Sequence, residues 1–481
     1  MNGSKSSISY RGKPREMHSQ GIQGNILELP VHEESDMIYA FTLKATPRVI
    51  LTIFLILVAI SACITTIPVP RATLGTTATL KSANNPVAPP TTVETLTSTL
   101  GSPRTLGERS FTVATRISSN VTKAQVDFVN SHYDYVMTSL LSQEVRDRIQ
   151  GPQLVLYRSI QGTWTDFHQL DWEHINAHEN MFCHHRGARI LTIWGSWLMD
   201  SNDMVDPGNP DAMNHWINYY AVTAAEQIYQ YDYDGLFIDS ASHRLGIGAV
   251  RGKMPDDYDD ERWRQGRASS LEFIKSYLPD KSVIFNGLHC QAGAEKSLAY
   301  TDGGMWEVFA FNPSTGAYWG AEKWQDVIEL AERNRKEKII VLVSKKTGLT
   351  EDVQARMFIA ASYLLVSNEN VILSMVDLDY NGPKTILYYP EYDLRLGKAI
   401  GSYTVSEQGL FVRQFEEGIV LVNPGESKTL IFVPDGDYKR VVPVGGGVVP
   451  PTGVWKGFIA YESVGGEIKI PPMSGMILRN R

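Results

Sequence analysis

Cysteine is scarce: Cys63, Cys183 and Cys290 are the only three among 481 residues. That excludes a disulfide scaffold, and the spacing matches no zinc knuckle. Positive charge is not in excess either. Lys plus Arg total 45 against 53 Asp plus Glu, for a net charge of −8, so the chain has no general attraction for nucleic acid phosphates. No internal repeat is present. The absence of a Gly-x-Ser-x-Gly stretch argues against an α/β-hydrolase esterase. His184 and His185 beside Cys183 lack a further ligand at a useful spacing, and the acidic run 256–261 lacks the calcium-loop pattern. No metal and no cofactor is therefore expected. Hydrophobic residues at 43% and charged residues at 20% rule out a wholly disordered chain, a collagen-like repeat and a multi-span membrane protein.

Four zones follow one another. Residues 1–48 are polar and read as a disordered tail. Residues 49–67 form an uncharged apolar run long enough to cross a bilayer. Lys44 and Arg48 precede it, which predicts the N-terminus inside and the bulk outside. A lipoprotein signal competes with a permanent transmembrane anchor. Ile60-Ser61-Ala62-Cys63 resembles a lipobox, with the lipid on Cys63, provided that Met37 rather than Met1 is the start. Residues 68–105 are rich in Thr, Pro, Ser and Ala and read as a flexible linker. Either anchor places the body, as a monomer, on the extracellular side of the cell membrane.

Between 106 and 400, β-rich runs alternate with helical patterns. Candidate strands cover 111–116, 133–137, 153–157, 189–193, 235–239, 282–286, 304–308, 338–343 and 371–375. Helical periodicity covers 210–231, 322–336 and 351–365. The alternation predicts an α/β fold with a parallel sheet, and its length suits a (β/α)8 TIM-type barrel. A doubly wound sheet is second, weakened because no Gly-rich phosphate loop follows the first strand. From 401 to 481 only short strands and turns remain, at 411–413, 418–422, 429–433 and 476–478. They predict a small antiparallel β-sandwich.

In such a barrel, reactive groups lie where strands end. Leu236, Phe237 and Ile238 make an apolar strand that Asp239 closes. Glu307 sits within the run 303–309, which is apolar and aromatic. Burial there is expected to raise its pKa and suit it to general acid work. The two are separated by 68 positions, about two βα units, which puts them two strands apart on one rim. Two carboxylates facing across a barrel mouth are what glycosidic bond cleavage requires. Their separation would decide between retention and inversion, and the sequence leaves both open. Trp197, Trp306 and Trp319 are candidates to stack on sugar rings. Asp134, Arg158, Asn286, His289 and Lys345 stand at or near strand ends and are candidates to bond sugar hydroxyls or an anionic group.

These motifs resemble a family. Asp-Gly-Leu-Phe-Ile-Asp at 234–239, with 197–200 and 206–210 upstream, is similar to the fourth-strand region of a glycoside hydrolase (β/α)8-barrel family. That family is distantly related to α-galactosidase and endo-polygalactosaminidase barrels. Gly304-Met305-Trp306-Glu307 looks like its sixth-strand acid, and the ending 471–478 is similar to the closing strand of amylase-type C-terminal β-domains. The resemblance implies an Asp nucleophile or base on strand four and an acid/base on strand six. The chain departs in one respect: Glu307 stands where α-galactosidases have Asp.

The expected function is that of a membrane-tethered, extracytoplasmic glycoside hydrolase acting on a poly- or oligosaccharide. Asp239 and Glu307 are its catalytic pair. The alternatives are a catalytically inactive barrel acting as a carbohydrate-binding surface protein, and a scaffold that binds partners through its β-domain.

Overall fold

The computed structural model describes residues 109–481, except 166–169, 247, 290–292 and 381–384. The tail, the apolar run, the linker, Cys63 and Cys290 therefore lie outside the described residues. Among those described, no helix is long and apolar enough to cross a membrane.

Eight parallel strands form one sheet: β1 (Ala114–Thr115), β2 (Tyr135–Thr138), β3 (Gln153–Ser159), β4 (Gly235–Asp239), β5 (Ser282–Asn286), β6 (Gly303–Trp306), β7 (Ile339–Lys346) and β8 (Val371–Asp377). They are paired in chain order. Val113 bridges Leu373 in parallel, and the Leu373 N–H donates to Thr112 O at 2.9 Å, so first and last strands meet and the sheet curls into a nearly closed barrel. Helices α1 (Lys123–His132), α2 (Gln143–Arg146), α3 (Trp216–Gln230), α4 (Asp260–Ser276), α5 (Ala321–Asn334) and α6 (Val353–Leu364) lie between successive strands. Their starts are capped as the sequence dictates. Thr122 and Gln125 form a capping box on α1, and Asp259 and Asp352 accept backbone N–H bonds at the heads of α4 and α6. Between β5 and β6 the described residues form the 3-10 turn Ala294–Tyr300.

Strand side chains alternate between two cores, because successive residues face opposite sides of a sheet. Ala114, Met137, Val155, Phe237, Ile284, Met305, Val341, Val343 and Ile372 fill the barrel. Their neighbours Val136, Leu154, Leu156, Leu236, Ile238, Phe285, Trp306, Ile340 and Leu342 face outward to the helices. Tight packing at β6 depends on glycine: a Cβ on Gly303 would lie 2.3 Å from the Ile339 carbonyl oxygen.

The run 189–193 is not a barrel strand. Ala188–Arg189 instead pairs with His184–His185 in a small hairpin, within the long excursion that joins β3 to α3. Apolar β-formers there, Ile190 among them, serve a satellite core with Leu198, Leu245 and Trp263.

After the barrel, six antiparallel strands form a second sheet, which includes Phe411–Phe415, Gly418–Asn423, Tyr438–Gly445, Gly457–Val464 and Ser474–Asn480. The same alternation sorts its faces. Val420, Val422 and Ile477 join the helix-side core of the barrel. Ile419, Leu421 and Leu478 pack instead with Leu430, Ile468 and Ile470 of a two-stranded sheet. The sheet abuts α6, where a Cβ on Gly475 would lie 2.7 Å from Met357 O. A fully buried ion pair, Arg356 Nε to Glu391 Oε1 at 3.1 Å, ties α6 to the turn that follows the barrel.

Candidate active site

The polar cluster at the mouth is a direct product of the strand register. Two positions beyond each inward-facing apolar residue, the chain carries a polar one: Tyr157 after Val155, Asp239 after Phe237, Asn286 after Ile284, Glu307 after Met305, Lys345 after Val343. A two-residue step keeps the same face, so all five point inward above the apolar plug, at the C-terminal ends of β3 to β7. The chain leaves β4 sharply, with Ser240 at φ +56°, in the left-handed region that non-glycine residues seldom adopt.

The distances join these side chains into one network. Asn286 Nδ2 donates to Asp239 Oδ1 at 2.8 Å and to Glu307 Oε2 at 2.9 Å. The two oxygens are thus no farther apart than both bonds laid end to end, roughly 5.7 Å. An amide nitrogen has two diverging hydrogens, which sets its two acceptors about 5 Å apart. The second oxygen of Asp239 accepts from the Tyr157 hydroxyl at 2.5 Å. Burial, followed by the Asp239 charge, pushes the Tyr157 phenol well above its usual pKa, so it stays a proton donor. Lys345 Nζ lies 2.5 Å from Glu307 Oε1. The Glu307 N–H points at His289 Nδ1 at 3.4 Å, and His289 Nε2 is 4.0 Å from Glu307 Oε2.

The ionisation of Glu307 differs from the expectation drawn from its apolar run. Burial does raise its pKa, but the Lys345 ammonium, its hydrogen bond, the Asn286 amide and His289 outweigh burial and bring it down to about 2. At neutral pH the unliganded Glu307 is therefore an anion, not a ready acid. This pair is open to solvent, unlike Arg356–Glu391: the Lys345 and Glu307 side chains are 28% and 30% exposed. His289 is held below its usual pKa, mainly by burial, and is neutral at pH 7.

The other sequence candidates fall elsewhere. Asp134 precedes β2 and lies at the opposite end of the barrel, where it accepts from Val113 N at 2.8 Å and pairs with Arg109 at 3.4 Å. Arg158 has the outward parity of β3. It is fully buried against α3, donating to Thr223 Oγ1 at 3.0 Å with its guanidinium 4.5 Å from the Tyr220 ring centroid. Trp306 likewise faces the helices and is buried there. Trp197 is half-buried in a two-residue strand paired with Gly162–Thr163, inside the excursion after β3, and packs on the main core. Trp319 follows β6 close to Glu307. Its indole donates to Val308 O at 2.7 Å, and Lys323 Nζ lies 3.3 Å from its ring centroid, so that ammonium covers one face. Among the described residues, no group of three or more His, Cys, Asp or Glu is arranged to hold a metal ion.

Sequence reasoning missed Tyr157 and Arg116. Arg116 directly follows β1 with inward parity, exposed, its guanidinium 5.1 Å from the Tyr157 ring centroid. For Arg116 the period-two step from Ala114 was an available signal; for Tyr157 the run 154–157 is apolar on both parities and gives none.

A parallel barrel with a carboxylate at or just past the end of each of strands four and six, on the C-terminal rim, is an architecture that glycosidic-bond hydrolases use. The sequence itself is more specific. Residues 158–419 match the model of hypothetical glycosyl hydrolase family 15, and the chain belongs to that family of enzymes, which hydrolyse glycosidic bonds. No functionally curated protein matches it. Similar solved structures include the glycoside hydrolase domain of PelA from Pseudomonas aeruginosa, at 15% identity over 56% of this chain and 95% of that one, with a TM-score of 0.38. Another is Amy13B from Eubacterium rectale, at 7% identity over 78% of this chain and 96% of that one, with a TM-score of 0.43. A third is the GH36 α-galactosidase AgaA from Geobacillus stearothermophilus, at 10% identity over 77% of this chain and 55% of that one, with a TM-score of 0.41.

Proposed function

We propose that the protein is a membrane-tethered, extracytoplasmic retaining glycoside hydrolase of poly- or oligosaccharides, with Asp239 as nucleophile and Glu307 as general acid/base. The observation that carries this is the Asn286 amide bridging the two carboxylates. A gap near 5 Å leaves no room for a water between sugar and base, and suits direct attack: retaining pairs stand about 5–5.5 Å apart, inverting pairs about 6.5–9.5 Å. Tyr157 and Asn286 each hold one Asp239 oxygen with a neutral donor, which aims the carboxylate without neutralising it. Glu307 has proton-bearing groups around it instead, Lys345 and His289.

The sequence of events follows from this. Substrate enters the mouth and draws the Lys345 ammonium off Glu307, which takes a proton from solvent. Glu307 passes that proton to the leaving oxygen while Asp239 bonds the anomeric carbon. The Glu307 carboxylate then takes a proton from water, which attacks the glycosyl-enzyme and frees Asp239. The long excursion that leaves the same rim after β3 carries Trp197 and the exposed Trp194 as candidate sugar contacts. The body reads as a (β/α)8 barrel with a C-terminal β-sandwich. The 49–67 run, or a lipid on Cys63, holds it at the cell membrane, with 68–105 as the spacer.

The test is hydrolysis of a glycan panel by the wild-type chain and by Asp239→Asn and Glu307→Gln. Turnover of at least one glycan that both substitutions abolish supports the reading. Equal turnover by all three proteins sinks it. A glycan bound but never cleaved by the wild type favours the inactive-barrel alternative.

A further inference from the structure

The charges at the mouth do not balance once the pair is in its working state. Lys345 is matched by Glu307 and Lys346 by Asp352 at 3.0 Å. Arg116 has no carboxylate partner among the described residues, and neither does Lys323 above Trp319. With Asp239 ionised and Glu307 protonated, Lys345 is released as well. Three cations, Arg116 over Tyr157, Lys345 beside Glu307 and Lys323 over Trp319, then stand against the one ionised carboxylate of the pair. Two of them, Lys345 and Lys323, also lower the proton affinity of His289, after burial.

We propose that the substrate is an acidic glycan, and that the ring carboxylate of a uronic acid residue is seated on the Arg116 guanidinium. This deepens the hydrolase reading and rests on it for the mouth being the glycan site. Arg116 suits the task in three ways. It directly follows a barrel strand, so its origin is fixed on one side by β1. It stacks on the Tyr157 ring, which strips water from one face and leaves its planar fork of donors for a carboxylate. And Tyr157 is the ring whose hydroxyl holds Asp239, so one aromatic ring separates guanidinium from nucleophile, the span of about one sugar. An anion in this position also attracts the Lys345 ammonium away from Glu307, which is the step that lets Glu307 take its proton. Substrate charge and acid catalysis are coupled through Lys345. A cationic amino sugar meets the opposite field.

Binding to the full-length Asp239→Asn protein tests this by titration calorimetry, with hexamers of galacturonic acid, mannuronic acid, glucosamine and glucose as probes. At least one uronate hexamer is expected to bind about tenfold or more tightly than the glucose and glucosamine hexamers. Adding Arg116→Gln should weaken that uronate about tenfold or more, with Arg116→Lys restoring part of it and the thermal melt unchanged. The inference is overturned if no uronate binds, if the neutral or amino-sugar hexamer binds as tightly, or if Arg116→Gln leaves uronate affinity intact. Each of those results leaves the hydrolase reading standing. That reading fails only in the separate turnover assay, if the catalytic variants cleave as fast as the wild type.

Discussion

The two ends of the barrel use the same residue type for opposite ends. On the floor, aspartates precede strands and bond to main chain: Asp134 accepts from Val113 N at 2.8 Å, Asp234 from Leu154 N at 2.7 Å, and Asp302 from Val283 N at 2.8 Å. Each staples an even-numbered strand to the odd-numbered one before it. At the mouth, Asp239 and Glu307 bond to side chains, to each other through Asn286, and remain open to solvent. A carboxylate satisfied by backbone is committed to structure. A pair held by neighbouring side chains is open to a ligand, so on the proposed reading the same barrel keeps stability below and reactivity above.

The largest effects should come from the mouth. Asp239→Asn or Glu307→Gln is expected to cut turnover by about a thousandfold or more while the melting temperature stays close to wild type. The floor should behave inversely. Asp134→Ala removes the acceptor of the Val113 N–H and the carboxylate beside Arg109, and is expected to lower unfolding free energy by about 1–3 kcal/mol in denaturant titrations, with turnover of the folded enzyme preserved. Asp234→Ala should cost less, because that residue is exposed. A floor variant that folds well but is inactive would erase the distinction.

Next comes Lys345→Met. The cation holds Glu307 at about 2, below its ordinary 4.5, so removing it raises the Glu307 pKa. If Glu307 works as the acid, its protonated fraction grows and the alkaline limb of kcat/KM moves to higher pH. If it worked as an anion, the acid limb would move up instead and activity at low pH would be lost, reversing the two roles. The smallest effect is expected from Tyr157→Phe. One of two donors to Asp239 is removed, and kcat/KM should drop about tenfold, the size of one hydrogen bond to a charged group.

Much of the candidate site was legible because a charge inside or at the end of an apolar run is conspicuous. Asp239 and Glu307 stood out for that reason, and Asn286, His289 and Lys345 followed from standing at or just beyond strand ends. Tyr157 was not legible. The stretch Leu154-Val155-Leu156-Tyr157-Arg158 is apolar on both parities until its last residue, so the sequence carries no phase, and a one-residue slip exchanges the mouth-facing Tyr157 for the core-facing Arg158. Trp306 was misplaced by the same ambiguity beside Met305. Asp134 was misread through its boundary: a strand drawn from 133 contains it, whereas β2 starts at Tyr135 and leaves it on the floor. The ionisation of Glu307 depended on Lys345, 38 positions away, and no local reading of an apolar run contains that partner.

Anomeric configuration, followed by proton NMR in the first minutes of hydrolysis, tests the carboxylate pair most directly. The account predicts that the first-formed sugar keeps the configuration of the bond that was cut, with the opposite anomer growing in only by later mutarotation. Immediate release of the inverted anomer would contradict a pair bridged by one amide and require a water between sugar and base.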